Sequence, residues 1–426
     1  MILKKDIQKL VENHGAPYIY NNRPFVPGET PIYYAGPYWN NDEIVAAVDS
    51  LMNGKWITAG ENVREFEKEF GEMFHSNHSL MVNSGSSANL IMIAALKKYY
   101  KWKDNDEIIV SPSGFPTTIS VIHQNGLTPV FADIEWDTLN FNLELLEKAI
   151  TEKTRAVFLS PVLGNPPDMD ELLSICDHFN LELILDNCDS LGSKWDGKYL
   201  TEYAVASSNS FYPAHHITTG EGGMVCTDNK ELSKLMRTLV AWGKDCYCSG
   251  AGNLKMEGAC KNRFAKWLDA YDGIMDHRYV FSNMGYNLKP LDLQGAIGLT
   301  QLGKFTEIEA RRKMAKHILD KIVCQIPGVK GVKTLPQADV NWFGTPFICD
   351  DKFLKRKLVQ HLEDNKIQTR NYFAGNILMH PGYSFLDDYK KYPEANKVLD
   401  LVFFIGCAPF YNDEIFEYIE EIIKKF

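Results

Sequence analysis

The residues best suited to chemistry fall into three short segments and one set of thiols. Ser210-Phe211-Tyr212-Pro213-Ala214-His215-His216-Ile217-Thr218-Thr219-Gly220-Glu221-Gly222-Gly223 sets two imidazoles ahead of a glycine-rich run. Imidazole titrates near neutrality, so such a residue can act as general acid or base. Leu185-Asp186-Asn187-Cys188-Asp189 ends an apolar run in an acid. A carboxylate there can hold a pyridine nitrogen protonated, as an electron sink requires, although a single Asp at such a point also serves as a helix cap. Asn83-Ser84-Gly85-Ser86-Ser87-Ala88-Asn89 precedes an apolar-periodic stretch. Small residues at a helix start let N–H groups and hydroxyls approach an anion such as phosphate, and they equally suit a plain N-cap. Cys188, Cys246, Cys248 and Cys260 could together ligate a metal or an iron-sulfur cluster, three of them on a stretch rich in Gly and Asn.

The elements that must position these groups follow from periodicity. Four apolar runs, 107–110, 129–132, 156–159 and 182–185, alternate with helical patterns at 142–151 and 168–179. Buried runs of Val, Ile and Leu separated by helices indicate a parallel sheet covered on both faces, an α/β protein whose ligands bind at the carboxyl ends of the strands. Amphipathic helices are expected at 43–52, with Asp42 as N-cap, and at 62–74. A further strand is expected at 222–227, followed by a helix to about 240. A long amphipathic stretch, 291–326, stopped by Pro327, leads to a strand-like run at 342–348 and helices near 353–364 and 412–425. The expected organisation is an amino-terminal arm (1–35), extended because of Pro17, Pro24, Pro27 and Pro31. It continues as a large domain (36–305) with a cysteine-rich loop near 243–264, and a smaller carboxy-terminal α/β domain (306–426).

Composition narrows the class. The formal charge of −10 is spread without a basic cluster, which argues against a nucleic-acid partner. No run of about 18 apolar residues suggests a membrane span, and the amino terminus turns polar at once, so a cytoplasmic protein is expected. Nine cysteines without a secretion signal argue against a disulfide framework.

Together, the three segments resemble the DegT/DnrJ/StrS sugar aminotransferases, vitamin B6 enzymes of the aspartate aminotransferase fold (fold type I). That resemblance implies a three-layer α/β/α large domain with a mostly parallel sheet. In that family Ser-Phe is followed, after three residues, by the lysine that binds the cofactor and then by Thr-Gly-Glu-Gly-Gly; His215 stands in the lysine's place. By resemblance, Gly85, Ser86, Ser87, Asp186, Asp189 and Ser210 bind the cofactor. Phe115, in Ser111-Pro112-Ser113-Gly114-Phe115-Pro116-Thr117-Thr118, stacks on its ring, and Asn287 reaches the phosphate of a neighbouring subunit, implying a homodimer. Trp56, Thr58 and Arg370 fall in segments similar to the family's substrate-binding ones.

Imidazole cannot form the stable Schiff base that a lysine forms with pyridoxal phosphate, yet it can still move protons. The same replacement occurs in the family's 3-dehydratases, which hold pyridoxamine phosphate non-covalently and deoxygenate C3 of nucleotide-linked 4-keto-6-deoxyhexoses. The resemblance implies that chemistry here, with His215 as base. A packing role for His215 and His216 in an idle, ligand-binding homologue is the alternative from another class.

The cysteines extend the resemblance to the iron-sulfur subgroup typified by CDP-4-keto-6-deoxy-D-glucose 3-dehydrase. Cys188 and Cys246 are separated by 57 residues, that subgroup's spacing, whereas the eleven residues between Cys248 and Cys260 make a longer last gap. The expectation is a [2Fe-2S] cluster on Cys188, Cys246, Cys248 and Cys260, a CDP-linked substrate and a separate NAD(P)H-dependent flavin iron-sulfur reductase. Zinc is the competing metal. The competing enzyme is a cluster-independent dehydratase that acts on a GDP-sugar and regains its amine from glutamate.

Overall fold

The computed structural model describes residues 4–14, 24–246 and 268–426. Where the prolines suggest an extended arm, the described residues open with a helix, α1 (Lys4–His14). Every proline of the arm lies beyond it, and Ile7 is buried as α1 packs on α2 (Asn41–Asn53). Helix α2 begins two residues earlier than expected, because Asn40 rather than Asp42 is its cap. Asn40 Oδ1 accepts from Asp42 N at 2.8 Å, and Glu43 Oε2 accepts from Asn40 N at 2.8 Å, a capping box.

Seven strands form the central sheet: β1 (His78–Val82), β2 (Glu107–Val110), β3 (Thr128–Phe131), β4 (Thr154–Leu159), β5 (Glu182–Asp186), β8 (Ala206–Ser210) and β9 (Gly223–Thr227). The short strands β6 (Lys194–Trp195) and β7 (Lys198–Tyr199) form a separate hairpin. The central order is β1-β9-β8-β5-β4-β2-β3, and β9 alone runs against the others. Strand residues alternate between two cores. Leu80, Val82, Ile108, Val110, Phe158 and Ile184 pack with α4 (Gly85–Tyr99), α5 (Pro116–Gln124) and α8 (Lys230–Val240). On the opposite face Met81 and Met224 meet α3 (Glu61–Met73) and α9 (Asp292–Val323), while Val157, Leu159, Leu183 and Leu185 meet α7 (Met169–Phe179). Helix α6 (Leu143–Lys148) closes the edge of that second face. The result is the three-layer α/β/α arrangement of the aspartate aminotransferase fold.

A second sheet is entirely antiparallel, ordered β10-β12-β14-β13 from β10 (Val329–Gly331), β12 (Gly344–Cys349), β13 (Thr369–Asn371) and β14 (Val402–Gly406); β11 (Ala338–Asp339) pairs with β6 instead. Helices α10 (Lys352–Asp364), α11 (Pro393–Leu401) and α12 (Asp413–Lys424) complete this region. Helix α9 joins the two sheets and contributes to both cores. Its anchor on the first side is the buried Glu43, which accepts from Lys304 Nζ at 2.7 and 2.8 Å and from Gln301 Nε2 at 2.7 Å. Among the described residues no helix is long and apolar enough to cross a membrane.

Candidate active site

A cavity of about 680 Å³ opens where β5 and β8 end, between the central sheet and the antiparallel one. At its base Asp186 closes β5, 4 % exposed. Its carboxylate accepts from Asn89 Nδ2 at 2.8 Å, Thr118 Oγ1 at 2.7 Å, Cys188 N at 3.2 Å and Ser208 Oγ at 3.4 Å. Four donors from four segments fix this carboxylate in position, and a buried ionised acid needs that satisfaction. Strand β8, Ala-Ser-Ser-Asn-Ser, is polar yet fully buried: Ser208 completes this network by donating to Asn89 Oδ1, and Asn209 pairs with Asn187.

Helix α4 starts at the cavity, capped by Ser84, whose Oγ accepts from Ser87 N at 3.1 Å. Gly85 has no room for a side chain: a Cβ there would lie 2.4 Å from Ser210 Cβ and 3.1 Å from Cys188 Sγ. The bare backbone N–H groups of this turn therefore border the cavity next to Ser86 and Ser210, the arrangement that receives a phosphate. Phe115 caps α5 at the mouth, half exposed, its ring edge-on to Phe373 at 5.9 Å.

His215 lies on the loop between β8 and β9. Nδ1 stands 3.4 Å from Asp189 Oδ1, an ion-pair distance that is not aligned as a hydrogen bond. Burial pushes the Asp189 carboxyl upward, opposed by the neighbouring imidazole. The His215 ring packs on Phe343 at 5.2 Å. His216 turns away from the cavity and is wholly buried, with Nε2 donating to Asn341 O at 3.0 Å. Burial first, then the nearby Arg312 charge, holds its pKa far below the ordinary histidine value. Of the two imidazoles, His216 is a structural tie and His215 faces the cavity.

The cavity brings together Gly85, Ser86, Phe115, Asp186, Asp189, Ser210, His215 and Arg370. Ser87 sits behind it, engaged in the α4 cap. Asn287 is exposed and away from the cavity, bridged to Ala241 and accepting from Lys289 Nζ. Trp56 is exposed, and Thr58 pairs with Leu291. Cys188 lines the cavity, its thiol pushed well above the usual range by burial and by Asp186, whereas Cys246 does not. Cys248 and Cys260 lie outside the described residues, and among the described residues no three His, Cys, Asp or Glu are gathered to hold a metal. Residue-by-residue reading missed Tyr34, Tyr212, Phe343 and Phe404 in the wall, and the Asp186 donors Asn89, Thr118 and Ser208. Asn89 and Thr118 lie inside segments already conspicuous in the sequence; nothing local marks Tyr34 or Phe343.

From residue 39 to residue 424 the sequence matches the DegT/DnrJ/EryC1/StrS aminotransferase family. The chain belongs to that family. Among DegT/DnrJ/EryC1/StrS relatives, it is 37 % identical over 414 residues to a dTDP-4-dehydro-2,6-dideoxy-D-glucose 3-dehydratase of Saccharopolyspora spinosa, covering 94 % of this chain and 88 % of that one. It is 34 % identical to the lipopolysaccharide biosynthesis protein RfbH of Salmonella typhimurium, covering 100 % and 98 %. An Escherichia coli GDP-4-keto-6-deoxy-D-mannose-3-dehydratase with bound hydrated PLP superposes with a TM-score of 0.81 at 29 % identity, covering 93 % and 100 %.

Proposed function

We propose that this chain removes the C3 hydroxyl of a nucleotide-linked 4-keto-6-deoxyhexose, with non-covalently held pyridoxamine phosphate as cofactor and His215 as base. One observation carries the reading: an imidazole, not a lysine amine, faces the cavity between Asp189 and Phe343. The surrounding residues fit the cofactor. The Gly85 cradle admits no side chain, Ser86 and Ser210 offer hydroxyls, Phe115 supplies a ring face, and Asp186 is a fully bonded carboxylate at the base. Bound there, pyridoxamine phosphate supplies the amine that engages the 4-keto carbon and a ring that accepts electrons.

The chain's own residues do the rest. Asp186 keeps the pyridine nitrogen protonated. Asp189 orients Nδ1 of His215, which leaves Nε2 to take the proton from the cofactor's C4′ carbon. Arg370, its guanidinium 4.2 Å over the Tyr34 ring at the cavity wall, is a cation available to the anionic substrate. The exposed apolar residues Trp56, Ile57, Met284 and Leu291, beside Asn287, suit a homodimer in which a partner completes the site.

For regeneration of the amine, likeness over nearly the whole chain to GDP-4-keto-6-deoxymannose-3-dehydratase, one structure of which holds a trapped PLP-glutamate geminal diamine, supports the cluster-independent route from glutamate. The Cys188, Cys246, Cys248 and Cys260 pattern supports, as second reading, a [2Fe-2S] cluster fed by a flavin iron-sulfur reductase. The test is incubation of the purified protein and pyridoxamine phosphate with CDP-, dTDP- and GDP-linked 4-keto-6-deoxyhexoses, with products read by mass spectrometry. A keto product lighter by one oxygen is expected; an amino-sugar product would show a transaminase instead. Turnover sustained by glutamate without protein-bound iron supports the first route. Iron in stoichiometric amount, with turnover only when a reductase is added, supports the second.

A further inference from the structure

Arg312, on α9, is 1 % exposed, yet among the described residues no carboxylate lies within ion-pair distance of it. Its guanidinium instead donates to main-chain carbonyls. Nη1 reaches Trp342 O at 3.3 Å and Phe343 O at 3.2 Å, and Nη2 reaches Ala214 O at 3.4 Å and His215 O at 3.2 Å. Nη1 also lies 3.9 Å from Cys407 Sγ at the end of β14. Burying a guanidinium without a counter-ion is costly. A purely apolar residue would fill the same space without that cost, so the arrangement calls for a reason.

What the four carbonyls share is His215. Two belong to the loop that carries it. A third belongs to Phe343, whose ring packs on the imidazole. Asp189, which faces Nδ1, also feels the Arg312 charge. Backbone, ring neighbour and carboxylate partner of the imidazole are thus all tied to one rigid, planar fork on the helix that joins the two sheets. A lysine could keep the charge but could not span four carbonyls on two segments.

We propose that Arg312 is the positioning residue for His215, setting the depth and tilt at which the imidazole enters the cavity. The proposal rests on the reading of His215 as base. Under it, Arg312→Lys leaves the affinity for pyridoxamine phosphate, followed by absorbance, and the KM for the nucleotide sugar unchanged. Its kcat falls by about 10²-fold, as a sub-ångström to ångström misplacement of a reacting group does. A wild-type kcat in this variant, or a kcat that falls only in step with cofactor affinity, overturns the proposal. If Arg312→Lys does not fold, Arg312→Met, which fills much of the same space without a buried charge, is measured in the same way: a lower kcat at constant KM and cofactor affinity supports the proposal, and an unchanged kcat overturns it. His215→Asn, run in parallel, separates the two levels. If that variant deoxygenates at the wild-type rate, the base assignment itself is lost; if it is inactive while both other variants are wild-type, only the positioning role is lost.

Discussion

The two ends of the cavity are built on opposite plans. At the acid end a single charge, Asp186, is held by neutral donors from the central sheet and the two helices beside it. At the imidazole end a neutral-capable ring is held by buried charge, Asp189 on one side and Arg312 through main-chain carbonyls on the other, with the antiparallel sheet supplying Phe343. The first plan fixes a group through the scaffold that makes the fold. The second fixes it through contacts that depend on how the two sheets are set against each other. On the proposed function, a carboxylate that tunes a ring needs only to stay put, whereas a base that must meet a carbon atom needs its position set by docking.

The sharpest break in this contrast is His215→Asn. Loss of general-base catalysis is expected to lower kcat by about 10²- to 10⁴-fold, with pyridoxamine phosphate still bound, since the cradle at Gly85 and Asp186 is untouched. Measured turnover within a few-fold of wild type would take proton transfer away from this residue. Asp186→Asn attacks the other end. It removes the charge opposite the pyridine nitrogen while introducing an amide that faces the donors Asn89 and Thr118. Both kcat and cofactor affinity are expected to fall, kcat by about 10²-fold, as when one preorganised electrostatic group is lost. If affinity drops while kcat holds, Asp186 only anchors the ring.

The same contrast explains what could be read from the sequence. The apolar runs of β2, β4 and β5 and the acid that ends β5 are local signals, so the α/β class and Asp186 were legible. Strand β8 was not, because Ser207, Ser208 and Asn209 are polar and buried, Ser208 in the Asp186 network and Asn209 against Asn187, and a period-two apolar pattern cannot reveal them. Helix α1 was hidden by the prolines that follow it. Asn89 and Thr118 carried a signal as members of their segments, but the pairing of each with Asp186 is set by the tertiary fold. Phe343 and Arg312 lie 128 and 97 residues from His215 in the sequence, and nothing in their neighbourhoods announces that relation. The thiol set was conspicuous by spacing, yet the described residues place only Cys188 at the cavity.

A smaller perturbation tests whether the acid end is as redundant as four donors suggest. Thr118→Val removes the 2.7 Å bond to Asp186 Oδ2 and leaves Asn89, Cys188 and Ser208 in place. A stability loss of about 1.5 to 3 kcal/mol is expected, the usual cost for a hydrogen bond to a charged group. Denaturant unfolding of the cofactor-free protein reads it. No measurable loss would mean that the remaining donors carry the carboxylate unaided, and the end is more redundant than the geometry implies.

The smallest effect concerns a second buried cation on the side of the antiparallel sheet. Lys355 is 5 % exposed and donates to Asn371 Oδ1, on the cavity wall, at 2.9 Å and to Leu399 O at 2.5 Å. Burial lowers its pKa from 10.5 to about 8. Between those two values the unfolded chain holds a proton that the folded chain has released, so raising the pH across that window favours folding. Lys355→Met cannot titrate there. The stability of the parent protein relative to this variant should therefore rise by about 1 to 2 kcal/mol as the pH is taken from 8 toward 10. Paired denaturation curves across that range decide the matter. A flat difference would mean that the ammonium reaches solvent.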